Sequence, residues 1–346
     1  MARELTKPDH DPILTFAESC EHLVSPYALE DYSAATGQPW VSVDLTNAGD
    51  APTDLTALRE ALGRFVCPTL AVIPDPNAPA ARAIASAFDV VVETRAELAP
   101  LVAAAKRTPI AAAALVQLLR ANEHRIIEQA LVAESFVYST LQAGPEFARW
   151  LAQQPTLKPV IPLEPPVLVE RDGPRLDIVL NHPARRNAYS AAMRDHLCEA
   201  LQLALADDSI KEIVLRGNGP AFCAGGDLDE FGLLPDPATA HAIRTTRSAA
   251  RLLAACAPRL RAELHGACIG AGIELPAWAP HITATEDTWL QLPELSMGLI
   301  PGAGGTVSLP RRIGRQRTSK LSLAGCRIER ASALGFSLLD PSSASG

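Results

Sequence analysis

The chain has 346 residues and a formal net charge of −8 at pH 7, with 48% hydrophobic and 20% charged residues. This length and composition are typical of a globular protein with one large domain or two ordinary ones. The acidic balance provides no basic surface for nucleic acid, and charged residues or prolines interrupt every apolar run, so we expect no nucleic-acid or membrane partner.

Cysteine and histidine are scattered along the sequence. The 7 cysteines form no C-x-x-C pair, and the 8 histidines form no H-E-x-x-H pair. This pattern argues against a disulfide framework and against a metal site. The N-terminal stretch MARELTKPDHDP has no apolar signal core, so we expect a cytoplasmic location.

The first part of the chain begins with short apolar runs and continues with helical patterns. The runs are rich in Val and are predicted to be strands. The helical patterns follow them, with apolar residues at helical spacing. The predicted strands are Trp40–Leu45, Thr69–Pro74 and Phe88–Glu93, and the predicted helices are Ala96–Ala105, Pro109–Arg120, Asn122–Leu141 and a short GPEFARWLAQ.

A proline-rich segment, Gln153–Pro174, separates this part from the rest. Successive prolines fix φ and remove hydrogen-bond donors, which favours an extended linker. We therefore predict one domain at 1–158, a linker at 159–174 and a second domain at 175–346.

Strands and helices alternate in the second domain, which predicts an α/β fold. Its strand and helix patterns are Arg175–Asn181, Ser190–Ala206, Glu212–Gly217 and Ala238–Ala255, followed by the strands RLRAELHG, HITAT and WLQLP.

Three glycine-bearing turns interrupt this alternation: Ala221–Leu228, His265–Leu275 and Leu292–Thr306. None has the lysine of a phosphate-binding loop or the full G-x-G-x-x-G pattern of a dinucleotide site. Two interpretations remain. In the first, the three segments are ordinary tight turns. In the second, their backbone N–H groups approach a ligand beside an acid/base pair formed by Glu274 and Glu294.

Four motifs in order favour the second interpretation. LNHPARRNAYS, GNGPAFCAGGDLDEF, HGACIGAGIEL and LPELSMGLIPGAGGT resemble signatures of the enoyl-CoA hydratase/isomerase (crotonase) superfamily. The resemblance covers Arg175–Leu339. It implies an α/β protein with a crotonase-like core of repeated ββα units arranged as a spiral, preceded here by an α-rich N-terminal half.

The resemblance also implies roles for individual residues. Gly226 and Ala271 correspond to the backbone donors of the oxyanion hole, and Glu274 and Glu294 to the two catalytic acids. Gly302 corresponds to the glycine that positions a water molecule. The positions implied to bind CoA are Arg185, Arg186, Ala188, Ala224, Asp227 and Leu228.

With both acids present, the resemblance favours an enoyl-CoA hydratase of fatty acid metabolism, a lyase. An enoyl-CoA isomerase or another CoA-enolate reaction is the alternative within the class, and an inactive subunit that binds CoA esters or a partner is the alternative outside it. No cofactor is implied, because coenzyme A is part of the substrate. The resemblance to this family also implies a homo-oligomer, either a trimer or a hexamer, and a hetero-complex is the alternative.

The sequence departs from the family pattern in two places. Pro280 stands where the family has an aspartate before a strand, and the family's helical C-terminal segment does not follow Leu339. Helices resembling that segment instead precede the core, and Cys67–Thr94 resembles Ala257–Glu286. We therefore expect residues 1–158 to be a degenerate, non-catalytic crotonase-like half that supplies the helices, with an unrelated helical extension as the alternative.

Overall fold

The computed structural model describes residues 12–48, 54–155, 164–233 and 236–341. The chain forms two compact units, Met1–Val116 and Gln117–Gly346. The division therefore falls before the proline-rich segment predicted as the linker. Residues 159–163 of that segment lie outside the described residues.

The first unit contains a parallel sheet of four strands in the order β1-β2-β3-β4. The central strands β2 and β3 are buried along their whole length, as parallel strands covered on both faces are. The three strands predicted for this part are thus confirmed. The elements are β1 (Leu14–Thr15), α1 (Phe16–His22), α2 (Ala28–Asp31), β2 (Val41–Asp44), α3 (Thr56–Arg64), β3 (Thr69–Val72), α4 (Pro79–Ile84), β4 (Val90–Val92) and α5 (Leu98–Arg107), followed by α6 (Pro109–Asn122) across the boundary.

The second unit contains two sheets and most of the helices. Its elements are α7 (Ile127–Gln142), α8 (Pro145–Leu151), β5 (Val167–Asp172), β6 (Arg175–Leu180), α9 (Ala191–Ala206), β7 (Glu212–Gly217), α10 (Pro237–Thr246), α11 (Ala249–Cys256), β8 (Leu260–Leu264), β9 (Ala267–Ile269), α12 (Ala271–Glu274), β10 (His281–Ala284), β11 (Trp289–Gln291), α13 (Gly305–Ile313), α14 (Arg315–Ala324), β12 (Ile328–Glu329) and α15 (Arg330–Gly335).

The larger sheet has the strand order β10-β8-β7-β6-β5, and the smaller one has the order β12-β11-β9. All neighbours in the larger sheet are parallel except β5, which pairs antiparallel with β6. In the smaller sheet β9 and β11 are parallel. The predicted α/β class is confirmed.

Three local features differ from the sequence prediction. Part of the predicted linker forms β5, because the stretch VLVERD between its prolines can pair with β6 through a turn at Gly173, whose φ is 53°. The helix predicted from Asn122 begins only at Ile127. The helix predicted over 238–255 is two helices, because Ser248 caps a new one by accepting a hydrogen bond from the backbone N–H of Arg251.

A β-α-β arrangement recurs in the two units. In each, two parallel neighbouring strands enclose a short helix: β3, α4 and β4 in the first, and β8, α12 and β10 in the second. Leu70 pairs with Val90 and Arg261 with His281, which is the same separation along the chain. The second unit has an additional strand, β9, between β8 and α12, and the origin of the N-terminal part as a degenerate half stays a prediction.

The side-chain hydrogen bonds at the second strand of this arrangement, β4 in the first unit and β10 in the second, differ between the two units. In the first, buried Asp89 accepts hydrogen bonds from the N–H and hydroxyl of Thr69, each at 2.9 Å. In the second, Pro280 occupies the position before the strand. There the carboxylate of Asp340 accepts from the N–H of Ile282, within β10, at 2.7 Å.

Candidate active site

A cavity of about 220 Å³ lies in the second unit, where the glycine loops meet α7 and α10. Two of the loops run side by side there. Cys223 of the first pairs with Cys268 of the second in a parallel bridge, and the N–H of Ile269 donates to the carbonyl of Cys223 at 3.0 Å. Each loop then turns at a glycine two positions after its bridge residue, at Gly225 with φ 93° and at Gly270 with φ 51°.

The next residues, Gly226 and Ala271, both line the cavity. Tyr189 hydrogen bonds to the positions on either side of Gly226, and its own partners are the carbonyl of Gly225 and the N–H of Asp227. Ala271 is the first residue of α12, where an N–H has no partner within the helix. Over the described ranges, neither N–H donates to another residue. Such a pair can bind an oxygen that gains negative charge.

Glu274 ends the same short helix and is only 2% exposed. Its Oε2 atom accepts hydrogen bonds from the N–H groups of Ala303 at 2.7 Å and Gly305 at 2.9 Å. Both donors belong to the third glycine loop. The loop therefore holds one carboxylate oxygen and leaves the other available to the cavity.

Glu294 follows β11 at the start of a 3₁₀ turn and lines the same cavity. Its Oε2 atom is shielded from solvent and has no hydrogen-bond partner within the described part of the chain. Gly270 approaches it closely, since a Cβ at that position would lie 2.4 Å from Oε1. The two predicted acids thus line one cavity, and only Glu274 is restrained by the third glycine loop.

Both carboxyl groups hold protons more tightly than usual. Burial raises the pKa of Glu294 to about 8. Burial, followed by the charges of Glu294 and Glu134, raises the pKa of Glu274 well above its ordinary value, and the hydrogen bonds from the third loop oppose this shift. One group of such a pair can carry a proton near neutral pH while the other is charged.

Glu134 on α7 is a third buried carboxylate that we did not predict. It accepts hydrogen bonds from the N–H groups of Gly304 at 2.8 Å and Thr306 at 3.0 Å, and from the Thr306 hydroxyl at 2.7 Å. These donors alternate along the loop with the two that hold Glu274. Burial raises the pKa of Glu134 to about 7. Its only sequence signal was an acid four positions after buried Ala130 on the apolar face of a helix.

Gly302 lines the cavity beside Tyr138 of α7. A Cβ at position 302 would lie 2.3 Å from the tyrosine ring, so the close approach requires glycine. The N–H of Gly302 makes no hydrogen bond to any residue that the structure describes. The water-positioning role implied for Gly302 stays a prediction.

Comparison with known proteins shows which family this chain is similar to. Residues 175–341 match the family model described as enoyl-CoA hydratase/isomerase. The 2,3-dehydroadipyl-CoA hydratase of Escherichia coli is 38% identical over 159 residues, which are 46% of this chain and 62% of that protein. An enoyl-CoA isomerase/hydratase of Mycosarcoma maydis is 31% identical over 187 residues, 51% of this chain and 68% of that protein.

The chain belongs to the enoyl-CoA hydratase/isomerase family. It covers less than two thirds of the first relatives, with 62% of the Escherichia coli protein and 58% of a Bacillus subtilis protein. Among solved structures, an enoyl-CoA hydratase of Mycobacterium smegmatis aligns over 51% of this chain and 69% of its own, with 30% identity and a TM-score of 0.47.

The predicted CoA-binding residues of this family member lie mostly outside the cavity lining. Arg185 pairs with Asp227 at 2.8 Å and also with Asp229, so its charge is already matched by two buried carboxylates. Its side chain therefore stabilises the end of the first glycine loop, Ala221–Leu228.

The other members of that set have backbone roles or are exposed. The N–H of Ala188 donates to the carbonyl of Arg185, and the N–H of Ala224 donates to that of Arg186. Arg186 and Leu228 are exposed. Of the six, the cavity lining includes only Asp227 among the described residues. Binding of CoA by all six stays a prediction.

Two other expectations concern metals and membranes. Over the described ranges, no group of three or more His, Cys, Asp or Glu side chains is placed to hold a metal ion. No single described helix is long and apolar enough to cross a membrane. One pair of helices, Arg95–Arg107 and Pro109–Asn122, reaches that length and composition only when the two are taken together, and they are bent by 110° relative to each other.

Proposed function

We propose that this chain adds water across the 2,3 double bond of an enoyl-CoA thioester. The observation that carries the proposal is one cavity lined by buried Glu274, by Glu294 with its shielded Oε2 atom, and by the N–H groups of Gly226 and Ala271, which donate to no residue in the described part of the chain. An acid, a base and a pair of oxyanion donors are the groups that hydration through an enolate requires.

The thioester carbonyl oxygen binds between the N–H groups of Gly226 and Ala271. Glu274 takes a proton from a water molecule that the N–H of Gly302 helps to hold, and the water oxygen bonds to C3. The electrons of the double bond move to the carbonyl oxygen, and the donors stabilise the enolate. Protonated Glu294 then gives its proton to C2, so that the product has gained one water molecule.

The hydrogen bonds support this assignment of acid and base. Two N–H groups donate to Glu274 and favour its charged form, whereas Glu294 has an oxygen that receives none. Because the raised pKa of Glu294 is about 8, this carboxyl group holds a proton at neutral pH. The pKa of Glu274 is raised as well, so the two acids act as a coupled pair, and the N–H groups of the third loop favour the negative charge on Glu274.

Assays with crotonyl-CoA and with a 3-enoyl-CoA test the proposal. We expect hydration of the first, with kcat reduced by about 10²–10⁴-fold in Glu294→Gln and in Glu274→Gln. Glu230→Gln is a matched control, since Glu230 lines the same cavity but accepts from the N–H of Ala191 and has no part in the reaction. It should retain activity within about threefold, because the amide can still accept that bond.

The products separate the alternatives. Migration of the double bond without hydration would identify an isomerase. CoA-ester binding without turnover would identify an inactive binding subunit. The cytoplasmic location and the homo-oligomer or hetero-complex implied by the resemblance are further proposals, and light scattering of the purified protein would test the assembly.

A further inference from the structure

Arg244 of α10 places a guanidinium group in the wall of the active-site cavity. Its Nε donates to the hydroxyl of Ser135 at 3.2 Å and its Nη1 to the side-chain carbonyl of Gln142 at 3.1 Å. Its Nη2 donates to the carbonyl of Ser135 at 3.3 Å and to the hydroxyl of Ser139. All of these partners are neutral, so they orient the group without matching its charge.

The other arginines of the cavity differ in this respect. Arg194 is 2.9 Å from the carboxylate of Asp195, and Arg247 is 3.7 Å from that of Glu199. Arg244 has no acidic group within ion-pair distance among the residues that the structure describes. A partly buried charge without a counter-charge is costly, which favours an anionic group on the ligand as its partner.

The charge of Glu134 acts on Arg244, but the two side chains form no ion pair in the part of the chain that the structure describes. Glu134 lies one position before Ser135, but its two oxygens accept the donors of Gly304 and Thr306. The guanidinium is therefore left to face the cavity.

The position of Arg244 decides which part of the ligand it meets. Its Cζ lies 4.8 Å from the centre of the Tyr138 ring, and a Cβ on Gly302 would touch the same ring at 2.3 Å. One aromatic ring therefore separates the guanidinium from the loop beside the catalytic acids. Leu131 and Ile243 line the cavity as apolar neighbours.

This distance is too short for the phosphates of coenzyme A. The pantetheine arm between the thioester sulfur and the first phosphate, taken extended, spans about 15 Å at ordinary bond lengths. A group on the acyl chain, a few carbons beyond C3, reaches the guanidinium instead. The cavity of about 220 Å³ is smaller than the roughly 300–1,000 Å³ of pockets for drug-sized ligands, which favours a short acyl chain.

We propose that Arg244 binds a carboxylate at the far end of the acyl chain, so that the preferred substrates are short enoyl-CoA esters with a terminal carboxylate. The inference rests on the proposed function for the placement of the thioester. Its contribution is a specificity residue, Arg244, held in position by Ser135, Ser139 and Gln142.

Two thioesters of equal chain length test it: hex-2-enoyl-CoA and its analogue with a carboxylate in place of the terminal methyl group. We expect the wild-type protein to hydrate the carboxylated ester with a kcat/KM at least about tenfold higher, because an ionic hydrogen-bonding site discriminates strongly against a ligand that leaves it unpaired. In Arg244→Met this ratio should fall to about one or below, and Arg244→Lys should recover part of it. The ratio within one variant is independent of the fraction of protein that folds.

Arg247→Met is the matched control, since Arg247 lines the same cavity but has an acidic neighbour, and it should keep the wild-type ratio. Equal or inverted preference in the wild type, or a preference that survives in Arg244→Met, would overturn the inference.

Calorimetric binding of the saturated analogues, adipyl-CoA and hexanoyl-CoA, makes the test independent of turnover. Tighter binding of adipyl-CoA that is lost in Arg244→Met supports the inference even if neither unsaturated ester reacts, a result that would refute only the hydratase function. Equal binding of the two analogues to the wild type overturns it.

Discussion

Replacing Gly305 by alanine should disable the reaction without removing a catalytic group. A Cβ at this position would lie 2.6 Å from both Cγ and Oε2 of Glu274, closer than real Cβ contacts. Gly305 is the first residue of α13 and does not have a positive φ, so alanine fits the backbone and the clash alone causes the effect. The carboxylate must therefore move away from the loop.

The size of the effect follows from the hydrogen bonds at stake. Moving Glu274 breaks the bonds from Ala303 at 2.7 Å and Gly305 at 2.9 Å. Hydrogen bonds to a charged group contribute about 1.5–3 kcal/mol each, so up to about 3–6 kcal/mol of positioning is lost. At about 1.4 kcal/mol for each factor of ten, kcat should fall by about 10²–10⁴-fold.

The assay is hydration of crotonyl-CoA, followed together with binding of acetyl-CoA and with thermal unfolding. Gly335→Ala is the control, because Gly335 is exposed and a Cβ there would meet nothing within 4 Å. It should keep full activity and change the unfolding free energy by less than about 1 kcal/mol. A folded Gly305→Ala protein with kcat within about threefold of the wild type would refute the proposed role of the loop.

Three further changes probe the charges. Because burial raises the pKa of Glu294 from 4.5 to about 8, its contribution to the unfolding free energy is full below pH 4.5 and is lost as the pH rises through 8. Calorimetry over this pH range should show a smaller loss of unfolding free energy in Glu294→Gln than in the wild type. The wild-type kcat/KM should fall above pH 8, as this acid loses its proton. A glutamine at position 134 cannot accept all three hydrogen bonds that Glu134 accepts, so Glu134→Gln should destabilise the protein by about 1–3 kcal/mol for each donor left unpaired. The control, Glu128→Gln at an exposed position on the same helix, should change the midpoint of urea unfolding little. Arg185→Met leaves two buried carboxylates unpaired and should cost about 3–5 kcal/mol in urea unfolding, while Arg171→Met, at an exposed ion pair, should cost less than about 1 kcal/mol.

Features that depend on neighbouring residues could be predicted from the sequence. The glycines at 225 and 270 and the acids at 274 and 294 lie in short motifs. The structure places both acids in the lining of one cavity, and each glycine directly precedes a lining residue, Gly226 or Ala271. The strands of the second unit are similar local signals, since continuous apolar runs are typical of buried parallel strands.

Features that depend on distant residues could not be predicted in this way. Glu134 and Arg244 lie in helical patterns that resemble ordinary amphipathic surfaces, and their roles come from partners more than a hundred positions away. The charge of Arg185 matched a phosphate-binding role, and only the structure shows its pairing with Asp227 and Asp229. A proline-rich run likewise concealed β5, whose pairing with β6 outweighs the local preference for a linker.

The order of the helices along the chain has a consequence for protein synthesis. Glu134 of α7 contacts the N–H of Gly304, which is 170 residues later. At about 5–20 residues per second, a ribosome needs about 10–30 s to add that length. During this interval α7 carries an unmatched acid on its apolar face, and Tyr138 and Ser135 lack their later partners. The contacts between α7 and the third glycine loop can therefore form only after that loop has been synthesised.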